Sequence, residues 1–429
     1  MANPQGEEGV LIPEAAESIA ETGLSFPYIC ELILKTMYTG GSMTAGEIAQ
    51  GMRLPFANIT DDCLKYLTDE QMCEVTTGGG YMATSWTYQL SNKGRERVKE
   101  HLGRDGYVGP APVSIEDYVA MVASQSLATG SVTPDTVKKA FADLVVEDLF
   151  AMQVGPAVRS GKSLFLYGPP GNGKTSVAER ITRMLGGHVW LPYAVQAGGQ
   201  VITVYDTNSH TQREDLMNKF SMQTNIDERW VCCDRPMVIV GGELTFQNLD
   251  LMYDVNAKFY TCPIQMKSNN GVLLIDDFGR QRISPKELLN RWIVPLEKRK
   301  DYLNLITGRQ VSIPFDVLVV FSTNLDPKEL ADEAFLRRIK YKMPINDPPL
   351  AVFRAIFKKC CDQRQIPFRD DMFNWMLESF WKPKKRPLRA CQPRDILDQI
   401  MDKSRFEGVT PQLSAEGIKY ACDTYFVEF

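Results

Sequence analysis

"SLFLYGPPGNGKTSVAERITRML", residues 163–185, decides the fold. A short apolar run, Leu164 to Tyr167, leads into Gly168-Pro169-Pro170-Gly171-Asn172-Gly173-Lys174-Thr175, and an amphipathic stretch opening on Ser176 follows at once. This is the GxxxxGK[ST] pattern in the strand–loop–helix setting that gives it meaning. Gly171 and Gly173 let backbone N–H groups converge on phosphate oxygens, and the helix N-terminus adds its positive end. Lys174 reaches the β- and γ-phosphates, and the Thr175 hydroxyl is a ligand for Mg²⁺. Residues 168–176 are therefore expected to hold the phosphates of a nucleotide.

Working outward, "VLLIDDFGR" at 272–280 is apolar from Val272 to Ile275, as a strand buried on both faces of a parallel sheet must be. Asp276, at its carboxyl end, is placed to meet the Mg²⁺ held by Thr175. Asp277 is placed to face the water that attacks the γ-phosphate. Glu is usual at that second position. Asp is one methylene shorter, and a misplacement of about 1 Å costs on the order of 10²-fold in rate. Either the strand sits closer and Asp277 is the base, or turnover is slow. Next, "ISPKELLNRWIVPLEKR" predicts one helix, capped by Ser284 with Pro285 at its first position. "PFDVLVVFSTNLD" predicts another buried strand, ending in Ser322-Thr323-Asn324, where an Asn orients the lytic water.

The GPPGNGKT loop, the Asp-Asp strand, the strand ending in STN and "ELADEAFLRRI" together resemble the AAA+ ATPases, over residues 135–429. The resemblance implies an α/β fold: an AAA+ P-loop NTPase core with a parallel sheet flanked by helices (135–346) and an α-helical lid (347–429). It implies ATP hydrolysis with Mg²⁺ in a homo-oligomeric, hexameric ring. Asn324 is similar to the sensor-1 residue. Arg337 or Arg338 is similar to the arginine finger that acts on the neighbouring subunit's nucleotide; Arg338 is preferred because it directly precedes Ile339. Arg394, in "CQPRDILDQI", is similar to the sensor-2 arginine that contacts the γ-phosphate from its own subunit. Helical patterns in "AVFRAIFKKCCDQR", "DDMFNWMLESFW", "PRDILDQIMDKS" and "SAEGIKYACDTYF" supply the lid.

Residues 23–105 follow the winged-helix pattern: helices in "FPYICELILKTMY", "MTAGEIAQGM" and "ANITDDCLKYLTDEQ", two strands around a Gly-rich turn in "CEVTTGGGYMATSWTYQLS", then the helix "NKGRERVKEHL". The third helix carries Asp61, Asp62, Asp69 and Glu70 around a single Lys65. A helix entering the major groove must approach phosphates, so a protein partner is favoured over nucleic acid. Residues 106–134 read as a linker turning helical, with Thr133 as a cap before Pro134. Residues 195–268 exceed a minimal core. Their aromatics Tyr253, Phe259 and Tyr260 belong either to core packing or, in a ring, to pore loops. The chain as a whole resembles the MoxR/chaperone-like bacterial AAA+ ATPases of the type linked to Flp pilus assembly, through "VGGELT", "KFYTCPIQMKSNNGV" and "IDDFGRQRISPKELLNRWIVPLEKR". That implies remodelling or assembly of protein partners.

Composition agrees. A chain of 429 residues, 44% hydrophobic, can bury a core in more than one domain, and a net charge of -5 speaks against a mainly nucleic-acid partner. No apolar stretch nears the roughly 20 residues of a membrane span. Residues 1–22 lack a basic-then-apolar signal pattern and are expected to form a flexible, cytoplasmic N-terminus. The 10 cysteines contain adjacent pairs but no CxxC, which suits reduced thiols more than zinc. "KPKKRPLR", Lys382 to Arg389, is read as a solvated lid loop, with a nucleic-acid patch as the alternative.

Overall fold

The structure, a computed structural model, describes residues 11–77, 82–127, 132–330 and 333–426. The first ten residues, the Gly-rich turn at 78–80 and Ala331-Asp332 of the "ELADEAFLRRI" stretch lie outside the described residues. The chain divides into two compact units. The first comprises Met1–Gly130, Leu185–Leu273 and Gln281–Val319; the second comprises Ser131–Met184, Leu274–Arg280 and Val320–Phe429.

In the first unit, Phe26–Gly40 is a helix that buries Ile29, Leu32, Ile33 and Met37 at helical spacing. A second helix, Ala45–Met52, starts on a capping box in which Thr44 and Glu47 satisfy each other's backbone N–H groups. The third was expected from Ala57 but begins at Asp61. Ala57 is extended and Asn58 lies at φ 62°, a left-handed conformation that Asn tolerates better than most residues. Strands Met43–Thr44, Thr87–Leu90 and Cys73–Thr77 make an antiparallel sheet with Thr87–Leu90 in the middle, and helix Asn92–Leu102 follows.

Residues 11–22, expected as part of a flexible N-terminus, pack against the core of the first unit. Ile12 and Ala16 are buried, and Thr22 is fully so. The Asp227 N–H donates to the Pro13 carbonyl at 2.9 Å, and Ala15 N–H to Asn225 at 2.8 Å. Leu11, Ile12 and Pro13 supply apolar side chains and a backbone carbonyl that a solvated tail would not use.

The region around 195–268 holds a hairpin, Ala194–Ala197 with Gln200–Thr203. Tyr260 is 1% exposed, and its hydroxyl accepts a hydrogen bond from Ile306 N–H at 2.7 Å. Its ring packs 4.9 Å from that of the partly buried Tyr253. Phe259 is partly buried against the core, its ring edge-on to Tyr107 at 5.6 Å. These aromatics are packing residues in this unit.

The single helix expected after Ser284 is two. Ser284 does cap Pro285–Arg291 through a capping box with Glu287, but the chain breaks at Trp292 before Ile293–Lys298. Pro295 removes an N–H and its ring opposes the carbonyl of Arg291, so no continuous helix can pass. An antiparallel hairpin, Lys300–Asn304 with Gln310–Pro314, comes next and was not anticipated. Its strict exposed–buried alternation, with Asp301, Leu303, Val311 and Ile313 inward, is the period-2 signal of a strand.

The second unit carries the parallel sheet. Four strands of this five-stranded sheet run in the order Val272–Ile275, Leu318–Thr323, Leu164–Tyr167, Tyr341–Pro344. Leu164–Tyr167 pairs in parallel with Val320–Thr323 on one side and with Tyr341–Pro344 on the other. Leu164, Phe165, Leu166, Leu274, Ile275, Val320 and Phe321 have no exposure, as a sheet covered on both faces demands. Phe165, Phe278 and Phe321 cluster with centroids 5.0–5.8 Å apart at the carboxyl ends of the strands. Helices Leu350–Gln363, Asp370–Met376, Gln392–Glu407 and Ala415–Tyr425 follow, with Phe353, Phe357, Phe373, Trp381, Ile396 and Ile418 in their own core.

Candidate nucleotide-binding site

The phosphate loop springs from Leu164–Tyr167 and ends in helix Lys174–Leu185. Two glycines are demanded by the geometry. At Gly168, φ is 136° and an added Cβ would lie 2.3 Å from the Ile345 carbonyl oxygen. At Gly171, φ is 79° and a Cβ would lie 2.6 Å from the Cys391 sulfur. Only glycine allows so close an approach with that backbone.

Lys174 is 7% exposed, and its ammonium donates to the carbonyls of Gly168 and Pro169, both at 3.0 Å. Its third partner is Asn324 Oδ1 at 2.6 Å. Burial pulls the Lys174 pKa down, and Asp276 and Asp277 oppose that by favouring the charged form. Thr175 Oγ1 donates to Asp276 Oδ2 at 2.8 Å. The other Asp276 oxygen accepts from the Asp277 N–H at 3.0 Å.

Asp277 lies at φ 49°, just beyond the strand that ends at Ile275. The left-handed bend turns its carboxylate toward the end of strand Leu318–Thr323, where Asn324 Nδ2 donates to Asp277 Oδ1 at 3.0 Å. The residue after the bend is held through both of its backbone groups. Phe278 N–H donates to Ser322 O at 2.7 Å, and Thr323 Oγ1 to Phe278 O at 2.8 Å. Asn324 thus joins Lys174 to Asp277 through the two ends of one amide. Five residues singled out from the sequence, Lys174, Thr175, Asp276, Asp277 and Asn324, meet around one space.

That space is a cleft of ≈ 1040 Å³. Pro170 to Ser176 form one wall, and Leu144, Val146, Phe150, Val352 and Ile356 give it an apolar end. Arg394 lines it too, from the first turn of Gln392–Glu407, and pairs with Asp395 at 2.9 Å. Arg337 and Arg338 are not among the residues lining the cleft. Arg337 is exposed and pairs with Glu333 one turn back at 2.8 Å; Arg338 is half-buried. Two contributors escaped the sequence reading. Asp347, in "INDPPL", accepts from Asn172 Nδ2 at 2.8 Å and from Arg389 Nη1 at 2.7 Å. The signal for Arg389 was its place in "KPKKRPLR", a run whose charges suggest solvent, although Arg389 is half-buried against Asp347.

A glycine-rich loop before a helix, its lysine turned inward, a Thr–Asp pair and an Asn-held acid at the ends of parallel strands define a phosphate-loop nucleotide-binding fold. Within that class it is an AAA+ P-loop NTPase fold: residues 163–339 match the model of the AAA domain (dynein-related subfamily). Residues 350–424 match a domain of unknown function (DUF8689). No curated protein matches the chain. Among solved structures it is similar to NtrX from Brucella abortus, at 15% identity and TM-score 0.40, over 68% of this chain and 57% of that one. The chain thus spans little more than half the length of NtrX. It is also similar to the Thermotoga maritima RuvB Holliday junction branch migration motor, at 14% identity and TM-score 0.37, over 72% of this chain and 74% of that one. A point mutant of Thermotoga maritima RuvB gives 13% identity and TM-score 0.37, over 70% and 72%.

Proposed function

We propose that the chain binds ATP with Mg²⁺ and hydrolyses it, working as an oligomeric ring that remodels or assembles protein partners. The observation that carries this reading is the bridge from Lys174 through Asn324 to Asp277. It joins the Lys174 ammonium and the Asp277 carboxylate through the two ends of one amide, which supports Lys174 as the phosphate contact and Asp277 as the base.

The metal fits the residues present. Mg²⁺ prefers hard oxygen donors, keeps several waters, and takes one or two protein ligands beside the phosphates. Thr175 Oγ1 and Asp276 Oδ2 are such a pair, 2.8 Å apart. When bound, Mg²⁺ neutralises charge on the phosphate oxygens.

The chain's own residues divide the remaining work. The loop N–H groups and Lys174 hold the phosphates. Asn324 holds one oxygen of Asp277, and the other is assigned to the attacking water, whose proton it accepts. Arg394 reaches the γ-phosphate from the helical segment, and Arg338 acts on a neighbouring subunit's nucleotide. The winged-helix-like residues 23–105 serve as the adaptor for a protein partner, in keeping with the acidic Asp61–Asp69 helix.

Steady-state phosphate release tests the enzyme reading. Wild type is expected to turn over, Lys174→Ala to lose nucleotide binding, and Asp277→Asn to bind ATP without turnover. Wild type releasing no more phosphate than Lys174→Ala would leave a nucleotide-dependent scaffold. Asp277→Asn, holding ATP, is also the form in which to capture the protein partner.

A further inference from the structure

Asn172, Asp347 and Arg389 bring together three segments of the second unit that phosphate binding alone does not require to meet. Asn172 is in the phosphate loop, Asp347 follows strand Tyr341–Pro344, and Arg389 precedes helix Gln392–Glu407. One carboxylate oxygen, Asp347 Oδ1, accepts from both Asn172 Nδ2 and Arg389 Nη1, at 2.8 and 2.7 Å. The other end of the Asn172 amide accepts from the Ala390 N–H at 3.0 Å. The next residue continues the strap: Cys391 N–H donates to Gly171 O at 2.8 Å, and its sulfur occupies the space a Gly171 side chain would need. Asn172 is 8% exposed, so both ends of its amide are spent inside the protein.

The loop wall and the helical wall of the cleft are therefore tied by charge-assisted hydrogen bonds, which are stronger than neutral ones. Residues 389–391 lie across the tip of the loop that is to hold the phosphates, and Arg394 of the same segment lines the cleft. We propose that Arg389, Asp347 and Asn172 form a latch that fastens the helical segment to the phosphate loop and sets the rate at which nucleotide leaves. This rests on the nucleotide-binding reading above. Arg389 is a positioning residue: it acts through Asp347 and Asn172, whereas Arg394 is assigned to the phosphate itself.

The test uses the full chain and fluorescent N-methylanthraniloyl-ADP, chased with unlabelled ADP in a stopped-flow instrument. ADP keeps the measurement independent of hydrolysis. Arg389→Met and Asp347→Asn are each expected to speed release roughly 10-fold, the ordinary size of coupling between linked sites. The double variant should be no faster than either single one, because both remove the same bond. Arg389→Lys should restore part of the retention, since an ammonium keeps the charge but makes a single contact. Melting temperatures without nucleotide should match wild type, which separates a latch from a folding defect. Asp347→Asn is close to isosteric and keeps the test open if Arg389→Met folds poorly. Wild-type release rates in the single variants, or additive effects in the double, overturn the latch and leave nucleotide binding standing. A wild type that does not retain the probe overturns both readings.

Discussion

At the scale of the residue, Asp277 answers for its missing methylene by backbone conformation. The sequence suggested that Asp would fall about 1 Å short of a water held for Glu. At φ 49° the chain bends so that the carboxylate meets Asn324 at 3.0 Å. Asp enters the left-handed region more readily than Glu, because its short side chain bonds locally. Asp277→Glu is therefore expected to slow hydrolysis, on the order of 10²-fold, with ATP affinity retained. The longer chain would lose the Asn324 bond and carry the backbone strain as well. Equal or faster phosphate release in that variant would show that reach, not placement, limits the rate. Gly171→Ala makes the complementary point on the loop. Its side chain would meet the Cys391 sulfur at 2.6 Å in a left-handed backbone, a conformation that costs a non-glycine residue about 1–2 kcal/mol. A lowered melting temperature and weakened ATP binding, both measurable by thermal shift, are expected. That Lys174, Thr175, Asp276, Asp277 and Asn324 line one cleft was legible in the sequence, because their motifs and spacing belong to the ends of neighbouring parallel strands. The Asp347 latch was not, because it joins residues far apart in the chain that no short pattern connects.

Elements were legible wherever one period dominated. The two all-apolar strands, the amphipathic helix after Lys174 and the helices of residues 350–425 are all found where their patterns lie. Failures came where a local exception outweighed the period: Asn58 at the start of the third helix, and Pro295 within an otherwise helical run. The hairpin at 300–314 had its alternation in plain view, masked by a charged residue, Asp301, at one of its inward positions. Two predictions belong here. Phe357 is fully buried among Phe368 and Phe373, with centroids at 6.2 and 5.4 Å. Phe357→Ala should destabilise the helical segment by about 3–5 kcal/mol, read by denaturant unfolding. In the first unit, His210 is 3% exposed. Its Nδ1 accepts from the Asp206 N–H at 3.0 Å, and Nε2 meets Lys267 O at 2.9 Å. Burial holds its pKa below the ordinary value, with the Lys267 carbonyl and Asp206 opposing. The unfolded chain then binds the proton more readily than the folded one, so stability rises with pH. It should be full above about 6.5, the ordinary histidine value, and fall as pH drops toward the lower folded value. His101, also lowered by burial, adds the same sign. Melting temperature measured from pH 8 to 5 should fall, and His210→Gln should flatten part of that slope.

The molecule as a whole has a site whose own chain supplies every proposed role but one. Phosphate loop, metal pair, base, sensor and the Arg394 contact all come from the second unit, yet neither Arg337 nor Arg338 lines the cleft. Arg337 is occupied by Glu333 on the solvent side of its helix. If Arg338 supplies its charge to a different copy of the chain, a mixing experiment separates that from a structural role. Arg338→Ala alone should bind ATP and lose turnover, by a factor on the order of 10³–10⁵ if it acts as arginine fingers do. Asp277→Asn alone should be inactive as well, for want of a base. Mixed, the two should recover activity, because an Arg338→Ala subunit keeps an intact base and its Asp277→Asn neighbour still carries the finger. Recovery should rise with protein concentration and peak at intermediate mixing ratios, since it needs unlike neighbours. Two inactive variants that stay inactive together would place the Arg338 defect within its own subunit. Full activity in Arg338→Ala would leave Arg337 as the remaining candidate, and full activity in Arg337→Ala as well would remove the finger and the main reason to expect that hydrolysis depends on assembly.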